Sequence, residues 1–230
     1  MITCEHVTRN FATRPGGVAG LLDVSVHINA SEFVVLHGPS GSGKSTLLLA
    51  IGGMLRPESG TVSVSGKDLY ALSAADRARF RAAQMGFVFQ LFHLVPYLTV
   101  RQNVLAGMTP AQARAASAQI DELLFELGLG ERRNALPGTL SAGERQRAAL
   151  ARAMARKPPL ILADEPTGNL DPANAVVVFQ HLDRYRRAGG TVLVVTHGND
   201  AAPYATRTLR LEAGRLVDSP LSSIPVPVSP

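Results

Sequence analysis

Tryptophan is absent from these 230 residues, and aromatic side chains of all kinds make up only 5%. No basic stretch is interleaved with aromatics, so the chain offers no stacking platform for bases, and nucleic acid is not an expected partner. A single cysteine, Cys4, excludes an intrachain disulfide and a cysteine-based zinc site; it reads as a small, partly buried residue without redox chemistry. No apolar run reaches the roughly 18 residues that span a bilayer. The opening Met1-Ile-Thr-Cys-Glu-His has neither the basic nor the apolar region of a secretion signal, so a cytoplasmic protein is expected. Charged residues are also sparse, at 18% with a net charge of +5. The arginines behind that excess, Arg77, Arg79, Arg81, Arg145, Arg147, Arg152, Arg156, Arg184, Arg186 and Arg187, read mainly as solvated helix faces, and more weakly as groups working near phosphate or anionic lipid. What the chain does have is 46% apolar residues, enough for one globular domain with a sizeable core.

Apolar segments at Val24–Ile28, Phe33–Leu36, Thr61–Val64, Gly86–Phe89, Leu160–Ala163 and Thr191–Val195 alternate with helix-like stretches, which predicts an α/β fold. Helix starts are marked by Ser73 before Asp76, Thr99 before Gln102, Thr109 before Pro110 and Gln112, Ser141 before Glu144, and Asp171 before Pro172. Between Phe92 and Lys157 no strand is expected. There Ala113, Ala116, Ile120, Leu123, Leu124 and Leu127 recur at helical spacing until Gly128 stops the run. The predicted organisation is a core of residues 1–90 and 157–218, a helical insert over 91–156, and an extended Pro-rich tail over 219–230.

Gly38-Pro39-Ser40-Gly41-Ser42-Gly43-Lys44-Ser45-Thr46 satisfies the phosphate-loop pattern, directly after the apolar run Phe33–Leu36 and directly before a helical one. Glycines there let successive N–H groups converge on a polyphosphate. The helix N-terminus adds partial positive charge, Lys44 reaches the terminal phosphates, and Ser45 offers a hydroxyl to Mg²⁺. The run Leu160–Ala163 ends in Asp164 and Glu165, which in a parallel sheet emerge where the loop opens. Asp164 is placed to hold Mg²⁺ through water, and Glu165 to orient and deprotonate an attacking water. The two motifs together point to nucleotide hydrolysis.

Leu140-Ser141-Ala142-Gly143-Glu144 with the following Arg145–Ala153 resembles the signature sequence of ATP-binding cassette (ABC) ATPases. Gln90 after Gly86–Phe89 is similar to that family's Q-loop, Gly168-Asn169-Leu170-Asp171 to its D-loop, and His197 after Val194-Val195-Thr196 to its switch histidine. The resemblance extends to about Asp218. It implies a P-loop NTPase core of ABC type with an antiparallel β part near the N-terminus. It also implies ATP and Mg²⁺ as ligands, Gln90 at the metal, His197 turned toward the γ-phosphate, and Phe11 stacked on adenine, although an aromatic near an early strand is also ordinary core. Ser141 opens a helix, so Ser141, Ala142, Gly143 and Glu144 form a second anion cradle. In the family the two cradles are completed head-to-tail, which implies a homodimer in the ATP state. The chain departs from the commonest signature at Ala142, where glycine is usual, and at Glu144, where glutamine is usual. Glu144 reads as the third residue of a capping box.

Ala163–Asp171, Gly86–Gln90 and Leu94–Val100 further resemble the branch of lipoprotein release, macrolide export and haem export, whose ATPases pair with a separate permease. The implied setting is peripheral, on the inner face of the cell membrane, with membrane contact only through that permease. A cell-division ATPase of the same branch, which controls cell-wall hydrolysis without transport, is the alternative; soluble cassettes of translation or DNA repair usually carry tandem copies or long insertions absent here. Phe89, Leu91, Phe92, Leu94, Val95, Pro96 and Tyr97 crowd around Gln90 and mark the expected docking surface for a short permease helix. His6, His27, His93 and His181 lack metal-like spacing and carry no expected chemistry.

Overall fold

The computed structural model describes residues 1–11 and 19–217. Two strands, β1 (Ile2–Asn10) and β2 (Ala19–Ile28), precede β3 (Phe33–His37) and the helix α1 (Lys44–Ile51). The pair β4 (Ser59–Val64) and β5 (Lys67–Asp68) leads to α2 (Ala74–Gln84) and β6 (Met85–Phe89). The helices α3 (Val100–Leu105), α4 (Pro110–Ala115), α5 (Ser117–Glu126) and α6 (Ala142–Met154) follow without an intervening strand. The chain then runs through β7 (Leu160–Asp164), α7 (Pro172–Arg187), β8 (Thr191–Thr196) and the hairpin β9 (Arg207–Glu212) and β10 (Arg215–Val217). None of the described helices is long and apolar enough to cross a membrane. The Pro-rich segment expected over 219–230 lies outside the described residues.

The central sheet has the order β10-β9-β3-β8-β7-β6, parallel except for β10. Its inner strands are buried along their apolar runs because both faces are covered, as parallel sheets demand. Alternation of side chains sorts them into two layers. Phe33, Val35, Val192 and Val194 pack with Leu150 of α6 and with Val178 and Phe179 of α7. Val34, Leu36, Leu193 and Val195 pack with Leu47, Leu48 and Ile51 of α1 and with Val24 and Val62 of the second, antiparallel sheet β2-β1-β4-β5. Cys4 lies in that second layer, 2% exposed, and burial pushes its thiol up to about 12.

All five expected caps form: Ser73, Thr99, Thr109, Ser141 and Asp171 each accept a hydrogen bond from the backbone N–H three residues on. The single helical run expected over Ala113–Leu127 is instead two helices that break at Ala116. Tertiary contacts override the periodicity there, since Arg101 of α3 donates to Ser117 Oγ at 2.6 Å and to Asp121 Oδ1 at 2.7 Å and turns α5 so that Ile120 and Leu124 enter the core. Gly128 ends the run as expected, at φ +68°. Several arginines read as solvated are also tied into the fold: Arg77 and Arg81 donate to the carbonyls of Leu72 and Gly53, and Arg147 to Asn174.

Asn103 of α3 is fully buried among apolar neighbours and satisfies the segment that precedes its own helix. Its Oδ1 accepts from the Val95 N–H at 2.7 Å, and its Nδ2 donates to the carbonyls of Val95, Leu98 and Thr99 at 3.1, 2.9 and 3.1 Å. An isosteric Asn103→Leu change removes the partner of the Val95 N–H and of the Leu98 carbonyl, while the Val95 and Thr99 carbonyls keep the N–H groups of Leu98 and Asn103. It is expected to cost about 2–4 kcal/mol in urea unfolding and to make the 94–99 segment cleavable by protease; an unchanged urea midpoint would refute this role.

Candidate functional site

The phosphate loop connects β3 to α1 and is shaped by its contacts with both sheets. Gly43 adopts φ +103° and Gly41 φ +78°, in the left-handed region that glycine occupies without strain. A Cβ on Gly43 would overlap the carbonyl oxygen of Gly20 in β2. One residue of the β9–β10 turn ties the loop to β2: the Gly214 N–H donates to the Ser42 carbonyl at 3.0 Å, and the Gly214 carbonyl accepts from the Leu22 N–H at 2.7 Å. No side chain caps α1, so its first N–H groups face the loop's interior. Lys44 folds across the loop and donates from Nζ to the carbonyls of Gly38 and Pro39 at 2.8 and 3.0 Å.

The carboxylates expected at the end of β7 reach this loop. Ser45 Oγ donates to Asp164 Oδ1 at 3.0 Å. Burial, opposed by that hydrogen bond and reinforced by the charge of Glu165, raises the Asp164 carboxyl above its ordinary value. Glu165 sits at φ +45°, a left-handed conformation that a non-glycine residue holds only when its surroundings over-determine it. They do so here. Its N–H donates to the Val195 carbonyl at 2.8 Å, its Oε2 accepts from Thr196 Oγ1 at 3.0 Å, and its Oε1 accepts from the His197 N–H at 3.0 Å and pairs with His197 Nδ1 at 2.7 Å. His37, at the end of β3, is half-buried, and desolvation and the Lys44 charge lower its pKa. The imidazole is therefore neutral at ordinary pH.

A cavity of about 450 Å³ gathers Phe11, the loop with Lys44 and Ser45, Gln90, Glu165 and His197. Its size is that of a small-molecule site. Phe11 carries the Arg9 guanidinium 5.4 Å from its ring centre. Gln90 is exposed at the rim, its side chain packed on Gly168, and its carbonyl accepts from Asn169 Nδ2 at 3.0 Å. A larger cavity of about 590 Å³ lies between α5, α6 and α7 and contains none of the residues expected to bind nucleotide or metal.

The Ser141 segment lines neither cavity. Its capping box is complete, with Ser141 Oγ accepting from the Glu144 N–H at 3.2 Å and Glu144 Oε2 accepting from the Ser141 N–H at 2.8 Å. That backbone bond and Arg132, whose Nε donates to Glu144 Oε1 at 3.2 Å, hold the Glu144 carboxyl below its usual range. Gly143 is buried against Asn174, where a Cβ would overlap the amide.

Around Gln90 the apolar cluster is divided. Leu91 and Tyr97 stand 69% and 79% exposed. Phe92 is half-buried beneath Arg145, whose guanidinium lies 5.5 Å from the ring centre, and Phe89 stacks on Phe87. Phe92 and His93 both adopt left-handed backbones, at φ +60° and +48°, and their carbonyls accept from Arg152. Three residues near the site carried no expectation from the sequence: Thr196, Gly214 and His37. Only His37 offered a signal, as a titratable residue at a strand end before a phosphate loop.

With this geometry in place, comparison with known proteins is specific. The family described as "ABC transporter" matches residues 21–168. The chain is 44% identical over 219 residues to the lipoprotein-releasing system ATP-binding protein LolD 2 of Caulobacter vibrioides, covering 94% of this chain and 96% of that protein. It is 39% identical over 230 residues to the macrolide export ATP-binding/permease protein MacB of Marinobacter nauticus, covering 98% of this chain but 35% of that longer protein. Among solved structures it resembles a dimeric ATP-binding cassette in a post-hydrolysis state bound to ADP and Pi, with a TM-score of 0.84, 34% identity and coverage of 94% and 96% of the two chains.

The contact of Gly43 with Gly20 sets a test of the loop. Gly43→Ala is expected to displace the loop from β2 and to weaken binding of a fluorescent nucleotide by about 100-fold, whereas Gly41→Ala, with open space around its α-carbon, costs about tenfold through backbone strain alone. Equal affinities for the two variants would show that the β2 contact does not shape the loop.

Proposed function

Because the chain belongs to the ABC transporter family, we propose that it binds and hydrolyses ATP to drive a separate membrane permease, in extraction or export of the kind named for its relatives in lipoprotein release and macrolide export. The observation that supports this reading best is the convergence of Lys44, Ser45, Glu165 and His197 on one cavity while Ser141 lies outside it. In this reading Lys44 exchanges its two loop carbonyls for the β- and γ-phosphates. Glu165, already aligned by Thr196 and His197, orients the attacking water and accepts its proton. His197 Nδ1 pairs with Glu165, and the other ring nitrogen would donate toward the γ-phosphate when the ring carries both protons. Phe11 offers its ring to the base.

The paired hydroxyl and carboxylate oxygens of Ser45 and Asp164 suit Mg²⁺, a hard cation that takes few protein ligands beside phosphate oxygens, with Gln90 at the rim as a further oxygen donor. Bound there, the ion would neutralise charge building on the phosphates. The cradle of Ser141 to Glu144 would complete the site of a second copy, so that ATP joins two chains head-to-tail. The permease would dock on Leu91 and Tyr97, and residues 91–156 would move with it as one helical unit. Membrane contact is then indirect, on the cytoplasmic face.

Two outcomes test the site. Glu165→Gln is expected to lower ATP turnover by about 10²–10³-fold while ATP stays bound, and Lys44→Ala to weaken ATP binding itself by about 10–100-fold. In light scattering, Glu165→Gln should reach twice the monomer mass with ATP and Mg²⁺ but not with ADP, and adding Ser141→Arg should abolish the shift. Full turnover by Glu165→Gln, or a monomer in every nucleotide state, would contradict the reading.

The docking surface has its own test. Leu91→Ser together with Tyr97→Ala is expected to reduce co-purification with the permease about tenfold or more while basal ATPase activity of the isolated chain stays within about twofold, since neither side chain is buried in the fold. Undiminished complex formation would place the permease elsewhere.

A further inference from the structure

Gln146 lies in the middle of α6 and is fully buried. Its Nε2 donates to the carbonyl of Pro166 at 2.5 Å, while its Oε1, equally buried, has no partner among the described residues. The amide orientation is dictated by this bond, since the reverse would set two carbonyl oxygens against each other. Proteins rarely leave half of a buried amide unsatisfied where an apolar side chain would fill the same space, so the half that is satisfied calls for a reason beyond packing.

That reason lies one residue away. Pro166 follows Glu165, whose left-handed backbone is held from the sheet by the Val195 carbonyl and from its own loop by the Gly168 N–H, which donates to the Glu165 carbonyl at 3.2 Å. Gln146 adds a hold from the helical layer. We infer that Gln146 is a positioning residue that fixes the Pro166–Thr167 peptide, and through it the loop that carries the Glu165 carboxylate, to the helix whose N-terminus carries Ser141. This rests on the reading of Glu165 as the group that activates water.

The experiment uses the full chain, with ATP and Mg²⁺ as probe. Gln146→Met keeps the volume and removes both polar atoms; Gln146→Glu keeps the shape and replaces the donor by an acceptor. Each is expected to lower kcat by about tenfold with KM for ATP within about twofold, because the nucleotide contacts are untouched. In the Glu165→Gln background, Gln146→Met is expected to leave both the residual turnover and the ATP-driven dimer unchanged, since a residue that acts through Glu165 has nothing further to lose. Wild-type kcat in both single variants, an equal further loss in the Glu165→Gln background, or failure of both variants to fold would overturn the role. If Glu165→Gln alone kept full turnover, the assignment of the carboxylate would fall, and this proposal with it. If Glu165→Gln is inactive and the Gln146 variants are active, only Gln146 loses its role.

Discussion

The approach of the Gly20 carbonyl to the α-carbon of Gly43 is the constraint on which the site depends. It presses the antiparallel sheet onto the phosphate loop, and the Gly214 N–H of the β9–β10 turn holds the same loop at the Ser42 carbonyl. The loop thus takes its shape from segments at both ends of the described chain. Lys44 then closes over it, the first N–H groups of α1 are left uncapped, and Ser45 comes within hydrogen-bonding distance of Asp164. A loop that binds through backbone donors gains from being shaped beforehand, because donors ordered only on binding would cost affinity.

A second framework crosses the first. α6 touches the carboxylate loop through Gln146, the N-terminus of α7 through the pairing of Arg147 with Asn174, and the turn after Gln90 through Arg152 and the stacking of Arg145 on Phe92. Three of the arginines that contribute to the chain's positive charge, Arg145, Arg147 and Arg152, form these ties. Each guanidinium offers several donors in a fixed plane, which suits it to hold two carbonyls or an amide and a ring at once.

What could be read from the sequence were features encoded locally. The phosphate loop, the carboxylates ending β7 and all five caps are short patterns whose chemistry sits within a few residues, and the continuous apolar runs of β3, β7 and β8 identify a parallel sheet. Less visible were β1, whose alternation is disturbed by shifts in register between Cys4 and Arg9, and the edge hairpin β9–β10, in which Leu211 is buried but most neighbours are not. The break at Ala116 escaped because Arg101 of another helix causes it. Thr196 and Gly214 escaped for the same kind of reason: a threonine on a buried strand and a glycine in a turn acquire their significance from partners distant in the chain.

The absence of the Ser141 segment from the lining of the cavity that holds Lys44 also bears on reaction order. If a nucleotide must touch both, a solitary chain is half of its own catalyst, and at low concentration turnover in solution rises with the square of the protein concentration. On the proposed reading, tethering two copies beneath one permease would replace that second-order dependence by a fixed local concentration, and solitary chains would spend little ATP.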